Sequence, residues 1–210
     1  KMNCLNSILS ESIEITNFSR DNSSNYFLRQ SKRHSLLFLV CCAYNQITNR
    51  QLKVLSPHEN SFYCVDSQEL PISNDIIFEI NQTIDDFSKS NDTIKHYSVS
   101  KLTLAQYFQN KNYKDKILTL NRINSHLVEI IRFRDMIDLS YGSFYSFDDS
   151  SLENFSLSSP YNNGFFLLFP HDCIHQSVVL DLPKHIDSVT QYTQWSRQHA
   201  FDSIQNINQQ

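Results

Sequence analysis

Apolar and polar positions follow two rhythms along this chain, and the switch between them predicts its elements. Ile76, Ile77, Ile80, Ile84 and Phe87 recur at three- and four-residue spacing, which predicts an amphipathic helix capped by Ser73 or Asn74 and ending near Ser90 and Asn91. Beyond it the pattern breaks into short apolar runs separated by turn residues. They predict strands at Thr93–Ser98, Leu102–Phe108, Lys116–Asn121, His126–Phe133 and Met136–Tyr141. After a turn-rich gap from Ser146 to Asn163, further strands are expected at Gly164–Phe169, Ile174–Asp181 and His185–Thr193. Trp195, His199 and Ile204 suggest a short closing helix.

Upstream of the helix, Ser35–Tyr44 is an unbroken apolar run and is read as a buried strand, too short to span a membrane. Gln51–Leu55 and Ser61–Asp66 read as strands around the turn cluster Ser56–Asn60, and residues 1–33 as a loose polar lead-in. Many short strands with one helix predict an α+β chain that is mainly β. The expected organisation is a β-rich N-terminal extension over residues 1–72, with no assigned role. Residues 73–210 would follow as a double-stranded β-helix, a cupin or jelly-roll-like barrel, with its preceding helix.

Composition narrows this picture. Gly142 and Gly164 are the only glycines, so turn positions that need positive φ must fall mostly to Asn and Asp. The same scarcity excludes glycine-rich phosphate loops of the Walker or Rossmann kind. A net charge of −4, with no basic cluster beyond Arg29–Arg33, argues against a nucleic-acid partner. No apolar run reaches the length of a membrane span, and no signal peptide is visible at Lys1-Met2, where the chain is expected to have been trimmed. Five cysteines without a CxxC pair favour a reducing, cytoplasmic setting over a disulfide scaffold. Five glycosylation sequons occur, but a chain this rich in Asn and Ser produces them by chance.

The chemistry-bearing stretch is Asn163–His175, in which Gly164, Pro170 and His175 are spaced as Gly-x5-Pro-x4-His. A buried strand, a proline-stiffened turn and a histidine opening the next strand would aim an imidazole into the mouth of a small barrel. There it could bind a metal or move a proton near neutral pH. His126 and Glu129 lie three apart, so on a strand only one of them can face the interior. His171 and His175 flank a turn with Asp172 between them. A divalent transition metal (Zn, Fe or Mn) held by His171, His175 and Glu129 or His126 is therefore one expectation. A His175 that only caps the barrel through backbone hydrogen bonds is the other. Cys173, Cys41 and Cys42 read as apolar filling, Phe147–Asp149 as a solvated turn, and Tyr141, Phe144, Tyr145 and Phe147 as rim packing or a platform for a sugar ring.

The Gly-Pro-His spacing resembles the second cupin motif and a similar segment of iron/2-oxoglutarate oxygenases. With Lys95–Ser100, His126–Gly142 and Phe166–Val179, the closest resemblance is to the YhcH/YiaL/TabA/EbgC family, cupin-like proteins of sugar metabolism that include sialic acid anomerases. It covers roughly residues 75–195. Three polar positions of that family fall here on Asn121, Ile123 and Val128; a one-residue slip would bring Glu129 to the family's aspartate. The resemblance implies a carbohydrate-directed protein catalysing anomerisation or isomerisation on a sugar-like small molecule. His175 would be acid/base or metal ligand, with Glu129, or else His126, as its partner. Two other classes compete: a non-catalytic binding or interaction protein on a degenerate barrel, and an iron/2-oxoglutarate oxygenase. The oxygenase reading lacks a His-x-Asp/Glu motif in the strands before His175, and Lys184 is its only nearby basic residue.

Overall fold

The computed structural model describes residues 13–14, 25–58, 61–90, 92–140 and 155–169, together with 184, 187, 188, 191 and 195. It is an α+β chain with two four-stranded antiparallel sheets. Helix exceeds strand among the described residues, which corrects the expectation of a mainly β protein. A double-stranded β-helix is not shown. The chain forms two compact units that interleave in sequence: Lys1–Leu52 with Ser73–Asn154, and Lys53–Ile72 with Phe155–Gln210.

In the first unit, the sheet runs in the order β1 (Ile13–Glu14), β4 (Lys95–Ser100), β5 (Leu127–Phe133), β6 (Met136–Leu139). Its helices are α1 (Asn25–Thr48), α2 (Asn74–Lys89), α3 (Lys101–Asn110) and α4 (Lys114–Asn121). One sheet face carries Tyr97, Val99, Val128, Ile130, Ile137 and Leu139, and packs on Leu104, Tyr107 and Phe108 of α3 and Leu120 of α4. On the opposite face Phe133 meets Phe87 of α2 edge to face, with ring centroids 4.9 Å apart. The sheet thus buries one face against helices, and the Phe133 end of the other, the standard way for such elements to exclude water.

The amphipathic helix forms where its spacing predicts. Ser73 caps α2 by accepting a hydrogen bond from the Ile76 amide, and Ile77, Ile80, Ile84 and Phe87 are its buried stripe. Strands β3 (Ser61–Asp66), β5, β6 and β8 (Gly164–Leu168) also lie where expected, while β2 (Leu52–His58) runs on through Ser56-Pro57, part of the anticipated turn.

Four expected strands are corrected. Ser35–Tyr44 belongs to α1, in which Leu36, Phe38, Leu39, Val40, Cys42, Ala43 and Tyr44 are all buried. The half-buried side of this run, at Leu37 and Cys41, is apolar too, so hydrophobic periodicity cannot distinguish the helix here from a buried strand. Leu102–Phe108 and Lys116–Asn121 are the helices α3 and α4. There the decisive spacing is Leu104, Tyr107, Phe108 and Tyr113, Ile117, Leu120, while Leu102 and Leu118, which mimic strand alternation, are 70% and 63% exposed. Asp187, Ser188 and Gln191 are helical where His185–Thr193 was expected to be extended, and Trp195 is helical as expected. The expected strand Ile174–Asp181 lies outside the described residues.

The second unit holds the sheet β2, β3, β8, β7 (Ser156–Leu157). Tyr161 and Gly164 exchange backbone hydrogen bonds of 2.7 and 2.9 Å across the two-residue loop Asn162-Asn163, whose φ angles are 43° and 65°. Both central residues at positive φ give the hairpin turn whose twist matches its strands. Four of the six non-glycine residues with positive φ among those described are Asn (49, 112, 162 and 163), as the scarcity of glycine requires. Arg134, at φ 51°, is an exception in the β5–β6 turn. Its guanidinium lies 4.6 Å from the Phe87 ring centroid and bonds Asp92 Oδ2 at 2.6 Å, which offsets the backbone cost.

Candidate functional site

The pairing of β4 with β5 settles the side on which Glu129 lies. Val128 and Ile130 point into the core shared with α3 and α4, so Glu129 emerges on the opposite face with Leu127, Ile131 and Phe133. Its carboxylate side chain is exposed. His126 precedes the strand and is exposed too. Its backbone carbonyl accepts the Lys101 amide at 2.9 Å, which ties the start of α3 to the start of β5.

A histidine not singled out in the sequence joins Glu129 there. Ser98 stands directly opposite Glu129 and His96 opposite Ile131, so His96 and Glu129 are diagonal neighbours on one face, with backbones roughly 7–8 Å apart by ordinary sheet geometry. Their interaction is electrostatic as well: the Glu129 charge favours the imidazolium. Burial of the half-enclosed ring outweighs it and lowers the His96 pKa below 6.5. His96 is therefore a neutral base near pH 7. The signal for it was available, because His96, Ser98 and Ser100 share strand parity in a segment of alternating burial.

His34 on α1 is likewise lowered by burial. For both rings the unfolded chain binds the proton more readily than the folded one. Stability is then complete above about pH 6.5 and falls as pH drops from there to the lowered folded values. Urea midpoints at pH 7.5 and 5.5 should show this loss, and His34→Gln with His96→Gln should flatten it. A slope unchanged in the double variant would assign the loss to other groups.

The remaining candidates divide cleanly. His171 and His175, with Pro170, Asp172 and Cys173, lie outside the described residues, as do Tyr141, Phe144, Tyr145 and Phe147–Asp149. Cys42 and Cys64 are buried, and Cys41, Cys42 and Cys64 take part in no disulfide. Burial pushes the Cys41 thiol up to about 12 and that of Cys42 well above its ordinary value, so neither is a thiolate nucleophile near neutrality. Cys42 is a core residue as expected, with Cys41 half-buried beside it, both on a helix instead of a strand. Among the described residues no group of three or more His, Cys, Asp or Glu is gathered to hold a metal ion, and no helix is long and apolar enough to cross a membrane.

In the second unit the Tyr63 hydroxyl donates to the backbone carbonyls of Tyr161 and Asn162 at 2.8 and 2.7 Å, and burial pushes its pKa up to about 12. Tyr161 Oη and Asn162 Nδ2 both donate to Asp187 Oδ1, at 2.9 and 2.8 Å. Tyr63, Tyr161 and Phe166 form the aromatic cluster beneath, with Tyr63 and Phe166 centroids 4.9 Å apart.

No protein-family model matches this chain. No curated protein matches it.

Proposed function

We propose that the protein binds a sugar-like small molecule and moves a proton on it, with Glu129 as the carboxyl partner of a histidine. The observation that supports this reading is the placement of Glu129 and His96 on one sheet face, with the imidazole neutral near pH 7. Anomerisation needs one group to give a proton to the ring oxygen while another takes one from the anomeric hydroxyl, and a His/Glu pair can supply both. His175 stays in the proposal as the imidazole of the Gly-Pro-His motif.

A cupin-like double-stranded β-helix, similar to the YhcH/YiaL/TabA/EbgC family, is the architecture that goes with this reading. A divalent metal on His171, His175 and Glu129 rests on the motif alone, and the described residues add only His96 as a nitrogen donor beside Glu129 on its face.

The test is exchange NMR on candidate reducing sugars. Wild type should accelerate anomer exchange, and Glu129→Gln should lose about a hundredfold of that acceleration. Equal rates in the two samples would remove the assignment. His96→Gln and His175→Ala, measured side by side, identify the working imidazole.

A second reading, a non-catalytic interaction protein, draws on the exposed apolar side chains Leu102, Leu118 and Phe78 on the outward sides of α3, α4 and α2. Absence of exchange activity together with absence of bound metal in chelator-free preparations would favour it.

A further inference from the structure

We propose that Asp138 and Lys116 seal the outer edge of β6, so that this strand does not pair with the same strand of a second copy of the chain. Among the described residues β6 is the last strand of its sheet. The Ser140 amide donates to the Glu129 carbonyl at 3.0 Å, and bonded and non-bonded pairs alternate along an antiparallel ladder. The amides of Ile137 and Leu139 therefore point away from β5, to the side where a further strand would take them. Both are already occupied. The Leu139 amide donates to Asp138 Oδ1 at 2.7 Å, and the Ile137 amide to the hydroxyl of Tyr107 on α3.

The ion pair shows where the Asp138 carboxylate lies. Side chains alternate along β6, so Ile137 and Leu139 enter the core shared with α3 and α4, and Asp138 belongs to the opposite face. Lys116 is on α4, yet its Nζ meets both Asp138 oxygens at 2.7 Å. A bridge from one face to the other passes around the nearest margin of the sheet, which at Asp138 is the outer side of β6. The Leu139 bond places the same carboxylate on the outward amide. Both side chains of the pair are mostly enclosed, 19% and 20% exposed, which holds the bridge in one geometry. A strand added here would have to displace that bridge, and its carbonyls would meet two amides already spent. Occupied donors and a lysine across the edge remove the template that a terminal strand otherwise offers.

Self-association of the full chain, measured by sedimentation equilibrium, tests the seal. Lys116→Met with Asp138→Ala removes both charges together, so that neither is left unpaired, and frees the Leu139 amide. This opened variant should self-associate about tenfold more tightly than wild type, the effect of one or two net hydrogen bonds. Adding Tyr107→Phe frees the Ile137 amide and should tighten association again. Asp138→Asn keeps an oxygen acceptor for Leu139 and should stay within about threefold of wild type. Amide exchange by NMR separates strand pairing from general stickiness: in the opened variant Leu139 should exchange quickly when dilute and slow down as the protein is concentrated. Association less than about threefold above wild type in the opened variant, or a rise just as large in Asp138→Asn, would overturn the seal. So would association that leaves the Leu139 amide exchanging at its dilute rate. Should the opened variant fail to fold, wild type carries the test, because its Leu139 amide should exchange about tenfold or more slowly than an unprotected amide at every concentration. Exchange at the unprotected rate, or protection that grows with concentration, would then overturn it.

Discussion

Gly164→Ala is expected to destabilise the second unit by about 3 kcal/mol, the upper end of what overpacking a tight site costs. A methyl group on Gly164 would run into the Cys64 carbonyl oxygen and stand 2.8 Å from Val65 Cγ1 and 2.9 Å from Tyr63 Cζ. The nearest atom is backbone, in a strand paired with β8 from Ser61↔Leu168 to Val65↔Gly164, so it cannot swing aside as a side chain would. Relief requires β3 and β8 to part at their turn end. That strain passes to the Tyr63 ring, which packs on Phe166 and holds the turn carbonyls of Tyr161 and Asn162. Urea denaturation followed by tyrosine fluorescence would measure the loss. A change under about 1 kcal/mol would show that β3 and β8 can separate without breaking their ladder.

Phe87→Ala should destabilise the first unit more, by about 4 kcal/mol, because it removes a fully buried aromatic ring. Phe87 is 2% exposed at the last buried position of α2. Its ring is the edge-to-face partner of Phe133 and the platform beneath Arg134. Losing it leaves a cavity between α2 and the sheet, and leaves the Arg134 turn without the contact that offsets its positive φ. Phe87→Leu, which refills most of the volume, should cost about 1.5 kcal/mol. Similar losses in both variants would mean that the site collapses around either side chain and that the ring itself matters little.

The parts legible in advance share one property: the residues that decide them are neighbours in sequence. Ser73 followed by isoleucines at helical spacing is enough to specify α2, whatever it packs against. The substitution of Asn for glycine in turns was equally visible, since φ is a local angle and only Asn and Asp tolerate the left-handed region well. Strands β3, β5, β6 and β8 were legible from runs of β-branched and aromatic residues ending in turns.

The rest was decided by distant partners. Leu102 and Leu118 look like the apolar half of a strand until the sheet face of Val99, Val128 and Ile130 selects Leu104, Tyr107, Phe108 and Leu120 for burial and leaves the other two outside. Likewise the Ser35–Tyr44 run of α1 is apolar on its half-buried side too, at Leu37 and Cys41, and so lacks the polar stripe that would reveal its period. In the candidate site the strand parity of Glu129 left two faces open, and only the register with β4 set it beside His96. Gly164 was first read as part of a motif pointing toward His175, whereas the described structure accounts for it by the close approach of the Cys64 carbonyl. By itself the sequence determined the local geometry: where the chain caps, turns and alternates. Which apolar face was buried, which helices lay on the sheet and which polar side chains became neighbours were decided only by tertiary structure, because burial and register are properties of pairs of segments far apart in the chain.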